Sequence, residues 1–173
     1  MGPREDRLEW HDYNMLEACV AALRSPDPNT QVGAYIVDPF NKPISKGYNG
    51  LPRGINPEQI SWLRTADSPL DTKYPYIVHA ERNAVLNANS DLFGSLLYVT
   101  MHPCEECAKE IIQSGIKVVY YLSDPYADLW QTQASKWMLD HAGIKRVKHE
   151  WHQPALQTNI KILTDRIFSQ TST

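Results

Sequence analysis

With 173 residues, 42% of them hydrophobic, the chain has enough material for one well-buried core and too little for two full domains. Its formal net charge of −3 supplies no global positive field for a polyanion such as DNA or tRNA, although a few local cations suffice for a small anion. Three cysteines, two of them in a Cys-x-x-Cys spacing, argue for metal binding in a reducing compartment rather than for a disulfide framework.

The charged opening lacks the apolar core of a signal peptide, and no later run is apolar for long enough to cross a bilayer, so the expectation is a cytoplasmic protein without a membrane partner. From Leu8 to Leu23 apolar residues fall at helical spacing (Leu8, Tyr13, Leu16, Val20, Leu23), and the Ser25–Asn29 stretch, with Pro26 and Pro28, ends the run. Val32–Val37 and Ile44–Tyr48 are β-branched or aromatic runs joined by a polar loop, the pattern of an antiparallel hairpin. GYNGLPRGINPEQ then interrupts regular structure, and Ile60–Arg64 reads as a short amphipathic piece.

His79–Asn89 reads as a helix with Ala84, Val85 and Ala88 on its apolar face. Leu96–Thr100 follows as a strand, Cys104–Gln113 as a helix stopped near Gly115, and Val118–Leu122 as another strand. Trp130–His141 is a last helix ended by Gly143, and Val147 lies in a short final strand. This alternation predicts an α/β layer architecture with a mixed sheet and helices on both faces. The expected organisation is a domain over residues 8–149, with 150–173 as a partly mobile C-terminal extension.

The chemistry concentrates in two segments, HAE at His79–Glu81 and PCEEC at Pro103–Cys107. One imidazole and two thiolates make a three-ligand zinc set from His79, Cys104 and Cys107, which leaves a fourth tetrahedral position for water, as in catalytic rather than structural sites. Glu81 is not needed as a ligand and is placed to move protons between that water and a substrate. A Cys-x-x-Cys pair alone also occurs in redox motifs and at ordinary helix starts, and a glutamate in a first turn can merely offset the helix dipole. The combination with HAE in strand-to-helix context favours the zinc reading, and this HxE and PCxxC signature belongs to zinc nucleobase deaminases. Cys19 is expected to be a buried apolar thiol, His102 a surface or supporting residue rather than a fourth ligand, and the His149, Glu150 and His152 group a solvated strand end rather than a second metal site. Arg53, Arg64 and Lys73 are the cations available for a phosphate, and spacing does not choose among them.

With HAERNAVLNANS, TMHPCEECAKEIIQSGIK and YLSDPY in view, and with DPNTQVGAYIV, GYNGLPRG and WLRTADSPLDTKYPYIVHAE beside them, the chain resembles the deoxycytidylate (dCMP) deaminases of the wider cytidine deaminase superfamily. The resemblance implies a three-layer α/β/α fold around about five strands. It also implies zinc held by His79, Cys104 and Cys107, with Glu81 as the proton shuttle in converting dCMP to dUMP and ammonia. It further implies that Asn49 contacts the deoxyribose, the Ala80 amide the base carbonyl and Tyr126 the nucleotide. From the residues alone, Asn49 reads equally as a left-handed turn residue and Tyr126 as rim packing. Activation by dCTP, inhibition by dTTP, an effector site near Gly50 and Arg53, and a homohexamer follow from the same resemblance, with no stable nucleic-acid partner. The sequence departs from the vertebrate pattern at Arg82 and at Met101-His102. Competing expectations are a deaminase of another cytosine nucleotide or of a nucleic-acid base, and a non-catalytic nucleotide-binding protein held by zinc.

Overall fold

Hydrophobic runs of period two separated by Gly and Pro punctuation become five strands in the computed structural model, which describes Gly2 and residues 7–152. The strands are β1 (Gly33–Val37), β2 (Pro43–Tyr48), β3 (Leu96–Met101), β4 (Val118–Ser123) and β5 (Lys145–Lys148), and the helices are α1 (Trp10–Ala22), α2 (Ala80–Leu86), α3 (Glu105–Gln113) and α4 (Trp130–His141). They form one sheet in the order β2-β1-β3-β4-β5. β1 runs antiparallel to both β2 and β3, whereas β3, β4 and β5 are parallel and joined through α3 and α4. The expected mixed sheet and layered α/β architecture are therefore observed.

Alternation along the strands sorts side chains to two cores. Ala34, Ile36, Leu97, Val99 and Val119 face a large core with Ala80 and Ala84 of α2, Ile111 of α3 and Leu139 of α4. Tyr35, Val37 and Tyr98 face the other way, onto Met15 and Ala18 of α1. Helices thus cover both faces of the sheet.

Two glycines set how closely helices approach. A Cβ at Gly33 would collide with the Ala18 carbonyl oxygen and the Ala22 amide nitrogen of α1, and one at Gly47 with the Ala80 carbonyl oxygen and the Ala84 amide nitrogen of α2. The β1–β2 hairpin is thereby pressed between two helix backbones.

Two sequence expectations need correction. α1 forms where the periodicity placed it, but Tyr13, Val20 and Leu23 are exposed and the buried face is Met15, Ala18, Cys19 and Ala22 with Asp12. Small side chains at Ala18 and Ala22 permit the contact with Gly33, so close approach wins over the larger apolar stripe. The Ile60–Arg64 piece is irregular chain between two single turns of 3-10 helix at Pro57–Gln59 and Pro69–Asp71. The second helix is shorter than expected, since His79 is its N-cap and Asn87 its C-cap.

Candidate active site

Both halves of the predicted ligand set sit at helix starts. His79 caps α2 and Cys104 caps α3, each with extended backbone, and Cys107 lies one turn into α3. Pro103 precedes the cap, where a missing amide hydrogen does not disturb the helix. α2 and α3 also pack against each other across the large core, which brings the two caps together.

His79 Nδ1 lies 3.4 Å from Cys104 Sγ and 3.3 Å from Cys107 Sγ. All three donor atoms fall within 4.8 Å of one another, and no other such group of His, Cys, Asp and Glu occurs among the described residues. Tetrahedral zinc with ordinary bond lengths separates nitrogen and sulfur ligands by about 3.5 Å, so the spacing fits the ion.

The protonation pattern points the same way. Hydrogen bonding from Cys107 lowers the Cys104 thiol to about 3, helped by His79. His79 is raised to about 9, chiefly by its hydrogen bond to Cys104. Cys107, sharing a proton with Cys104 and deeply buried, is pushed up. Metal ligation requires both sulfurs as thiolates and a neutral imidazole, so the protons favoured on His79 and Cys107 are released when a cation binds.

Glu81 stands beside this set, buried, and desolvation raises its carboxyl to about 7. An ordinary helix-dipole carboxylate would lie in solvent; this one is taken out of water at the edge of a cavity. The cavity, about 520 Å³, is lined by His79, Ala80, Glu81 and Cys104 together with Asn49, Tyr126, Arg64, Lys73 and others. That size suits a small-molecule ligand.

A family model described as the cytidine and deoxycytidylate deaminase zinc-binding region matches residues 8–123. The deoxycytidylate deaminase of Pongo abelii is 51% identical over 142 residues, spanning 82% of this chain and 80% of the relative. The chain belongs to the cytidine and deoxycytidylate deaminase family. A probable deoxycytidylate deaminase of Drosophila melanogaster is 47% identical over 152 residues, spanning 84% of this chain and 75% of the relative. Among solved structures, that of the dCMP deaminase from the cyanophage S-TIM5 in complex with dCMP and dUMP superposes with a TM-score of 0.58 at 26% identity, covering 81% of this chain and 93% of the other.

Within this deaminase-family frame, the remaining candidates separate. Asn49 lines the cavity, and the left-handed alternative fails because Asn41, at φ 64°, is the non-glycine residue with positive φ among the described residues. Its amide is held in place: Oδ1 accepts from the Val32 amide at 2.8 Å, and Nδ2 donates to the Thr30 carbonyl at 2.8 Å and to Asp27 at 3.4 Å. Tyr126 lines the same cavity and accepts from Arg64. Gly50 and Arg53 do not line it. The Gly50 amide donates to the Val78 carbonyl at 3.0 Å, and Arg53 Nη2 donates to Asn87 Oδ1 at 2.6 Å.

Sequence reading missed Asp27. It followed a proline break and read as punctuation, yet its carboxylate accepts from the Asn29 amide at 2.8 Å and from Lys73 at 2.5 Å, 46 positions away. His102 is a buried wall of the cavity rather than a surface residue, with its ring edge-on to Tyr121 and Nδ1 2.9 Å from the Pro103 carbonyl oxygen. Cys19 is the buried, inert thiol expected, pushed up to about 12 by desolvation. His149 is not solvated: its side chain is buried against Asp12, with Nε2 3.2 Å from Oδ1. The proposed C-terminal extension lies outside the described residues from 153 onward.

Proposed function

We propose that this protein is a zinc-dependent dCMP aminohydrolase that converts dCMP and water to dUMP and ammonia. The observation that carries the reading is the His79, Cys104 and Cys107 set beside a buried Glu81, in a chain about half identical to deoxycytidylate deaminases over most of its length. The family match and those relatives support the enzyme class and the zinc cofactor.

His79 Nδ1 and the two sulfurs would hold the ion, which when bound would supply a Lewis acid that makes water acidic near neutral pH. Glu81 takes a proton from the water that adds to C4 of the cytosine ring and passes it to N3. It then delivers the second proton to the departing amino group, so that ammonia leaves and the C4 carbonyl forms. A carboxyl raised to about 7 by burial gives and takes protons near neutrality. Ala80, at the first position of α2, offers a backbone N–H free of helical bonding to the base carbonyl. Asn49 Oδ1, fixed by the Val32 amide, keeps a second lone pair for a deoxyribose hydroxyl, and Tyr126 contacts the nucleotide from the cavity wall.

Regulation by dCTP and dTTP, assembly as a homohexamer and a cytoplasmic setting belong to the same proposal and rest on the family resemblance. Because Arg53 stands outside the catalytic cavity, an effector bound near it occupies a separate site. No helix among the described residues is long and apolar enough to cross a membrane. The test is ammonia release from dCMP, CMP, deoxycytidine and single-stranded DNA, with and without dCTP. Preference for dCMP is expected, and equal turnover of deoxycytidine would refute the nucleotide assignment.

A further inference from the structure

Resting on the zinc-site reading above, we infer that Arg82 is a positioning residue for the metal centre: its ion pair with Glu110 clamps α2 to α3 one turn behind the ligands and slows zinc loss. The reaction itself gives Arg82 no task, although it directly follows Glu81. Its guanidinium reaches from α2 to α3, where Nε donates to Glu110 Oε1 at 2.5 Å and Nη2 closes on the same oxygen. Among the described residues no other ion pair joins these two helices. Glu110 Oε2 is buried and has no hydrogen-bond partner among the described residues, so the carboxylate depends on Arg82 for its compensation.

Spacing ties this pair to the ligands. Arg82 follows His79 by three positions and Glu110 follows Cys107 by three, and side chains three apart stand one above the other on a helix. The His79–Cys107 contact, at 3.3 Å, and the Arg82–Glu110 contact are therefore successive rungs between the same two helices. The opposite side of α2 is already fixed to β2. Asn83 Nδ2 donates to the Tyr48 carbonyl at 2.8 Å, Ser45 Oγ to the Ala84 carbonyl at 2.7 Å and Asn87 Nδ2 to the Lys46 carbonyl at 3.0 Å. These bonds leave the spacing of α2 from α3 to the core and the second rung. The buried contribution of α2 to that core is Ala80 and Ala84, whose short side chains interlock weakly, so the ion pair supplies the directional restraint. At 42% and 29% exposure the pair adds little to global stability, and its effect falls on local geometry. Donors held at metal spacing lose their ion more slowly than donors on helices free to part.

The experiment follows zinc transfer from the loaded full chain to an excess of a chromogenic chelator. Arg82→Met is expected to lose zinc about 3- to 30-fold faster than wild type, and Glu110→Gln similarly. The double variant is no worse than either single one, because both remove the same contact. The charge swap, Arg82→Glu with Glu110→Arg, restores the pair and returns the rate to within about threefold of wild type. Arg146→Met, which removes the partly exposed ion pair of β5 with Asp140 of α4, is the control for general loosening and leaves zinc loss unchanged. Unchanged zinc loss in Arg82→Met overturns the inference, as do effects that multiply in the double variant, a swap that loses zinc as fast as the single variants, or equal acceleration by Arg146→Met. A wild type that holds no zinc overturns the zinc-site reading together with the clamp. A wild type that holds zinc, shows the Arg82 effect and releases no ammonia from dCMP refutes the deaminase reading and leaves the clamp standing.

Discussion

Two clusters in this molecule place histidines against anionic groups, and they behave in opposite ways. At the cavity, His79 faces two thiols and is raised to about 9, chiefly by its hydrogen bond to Cys104. Beneath α1, Asp12 is fully buried, with His149 Nε2 at 3.2 Å and His152 Nδ1 at 3.1 Å from Oδ1, while the His152 amide donates to Oδ2 at 3.1 Å. There burial lowers His149, and lowers His11 nearby. The first cluster opens on a cavity and offers soft donors that converge on a common point. The second spends its carboxylate on protein hydrogen bonds and ties residue 152 to residue 12. Donor softness and access, rather than the presence of histidine, distinguish a metal centre from a structural knot.

The largest expected break in this comparison comes from the sulfur side. Cys107→Ser should lower bound zinc from about one ion per chain to near none and abolish dCMP turnover, as read by metal analysis and ammonia release; full zinc retention would remove Cys107 from the ligand set. Chelation of wild type should do the same, and added zinc should restore activity.

Glu81→Ala should keep about one zinc and lose roughly 10³-fold or more in kcat, because it removes the proton carrier and no ligand. Loss of metal in that variant would contradict the division of roles. Zinc affinity of wild type should climb by about tenfold or more per pH unit between about pH 6 and pH 9, since binding displaces the proton from His79 and from the Cys107 thiol. A flat profile in a chelator competition would show that the ligands are already deprotonated.

At the knot, Asp12→Asn should cost about 2–3 kcal/mol in urea unfolding with zinc content unchanged, because it weakens the acceptors that serve His152 and removes the charge beside His149. The smallest effect is on pH. His11 and His149 have folded pKa values below 6.5, so the unfolded chain takes up protons first as pH falls. Their contribution is complete above about pH 6.5 and is lost below it, visible as a falling melting temperature toward pH 5.

These two clusters also mark what was legible in the sequence. His79, Cys104 and Cys107 were readable because each lies at a helix start signalled locally, by Pro103 in one case and by the HAE turn in the other. The strands were readable because glycine, proline and β-branched runs act within a few residues. The knot joins positions 140 apart, and no local pattern carries that information. The same holds for the Asp27–Lys73 pair across 46 positions. The face of α1 was misread for a related reason: a stripe of large apolar residues predicts burial only when the partner surface accepts bulk, and Gly33 selects small residues instead.

That selection has a counterpart at Gly47. Its pairing with Ala34 puts the bare backbone directly under Ala80 and Ala84, so α2 can sit down only when β1 and β2 are joined in this register. A slip of one residue would place Lys46 or Tyr48 under the helix and hold His79 away from the two sulfurs. The convergence of the three donors thus depends on a strand pairing that involves none of the metal's own ligands.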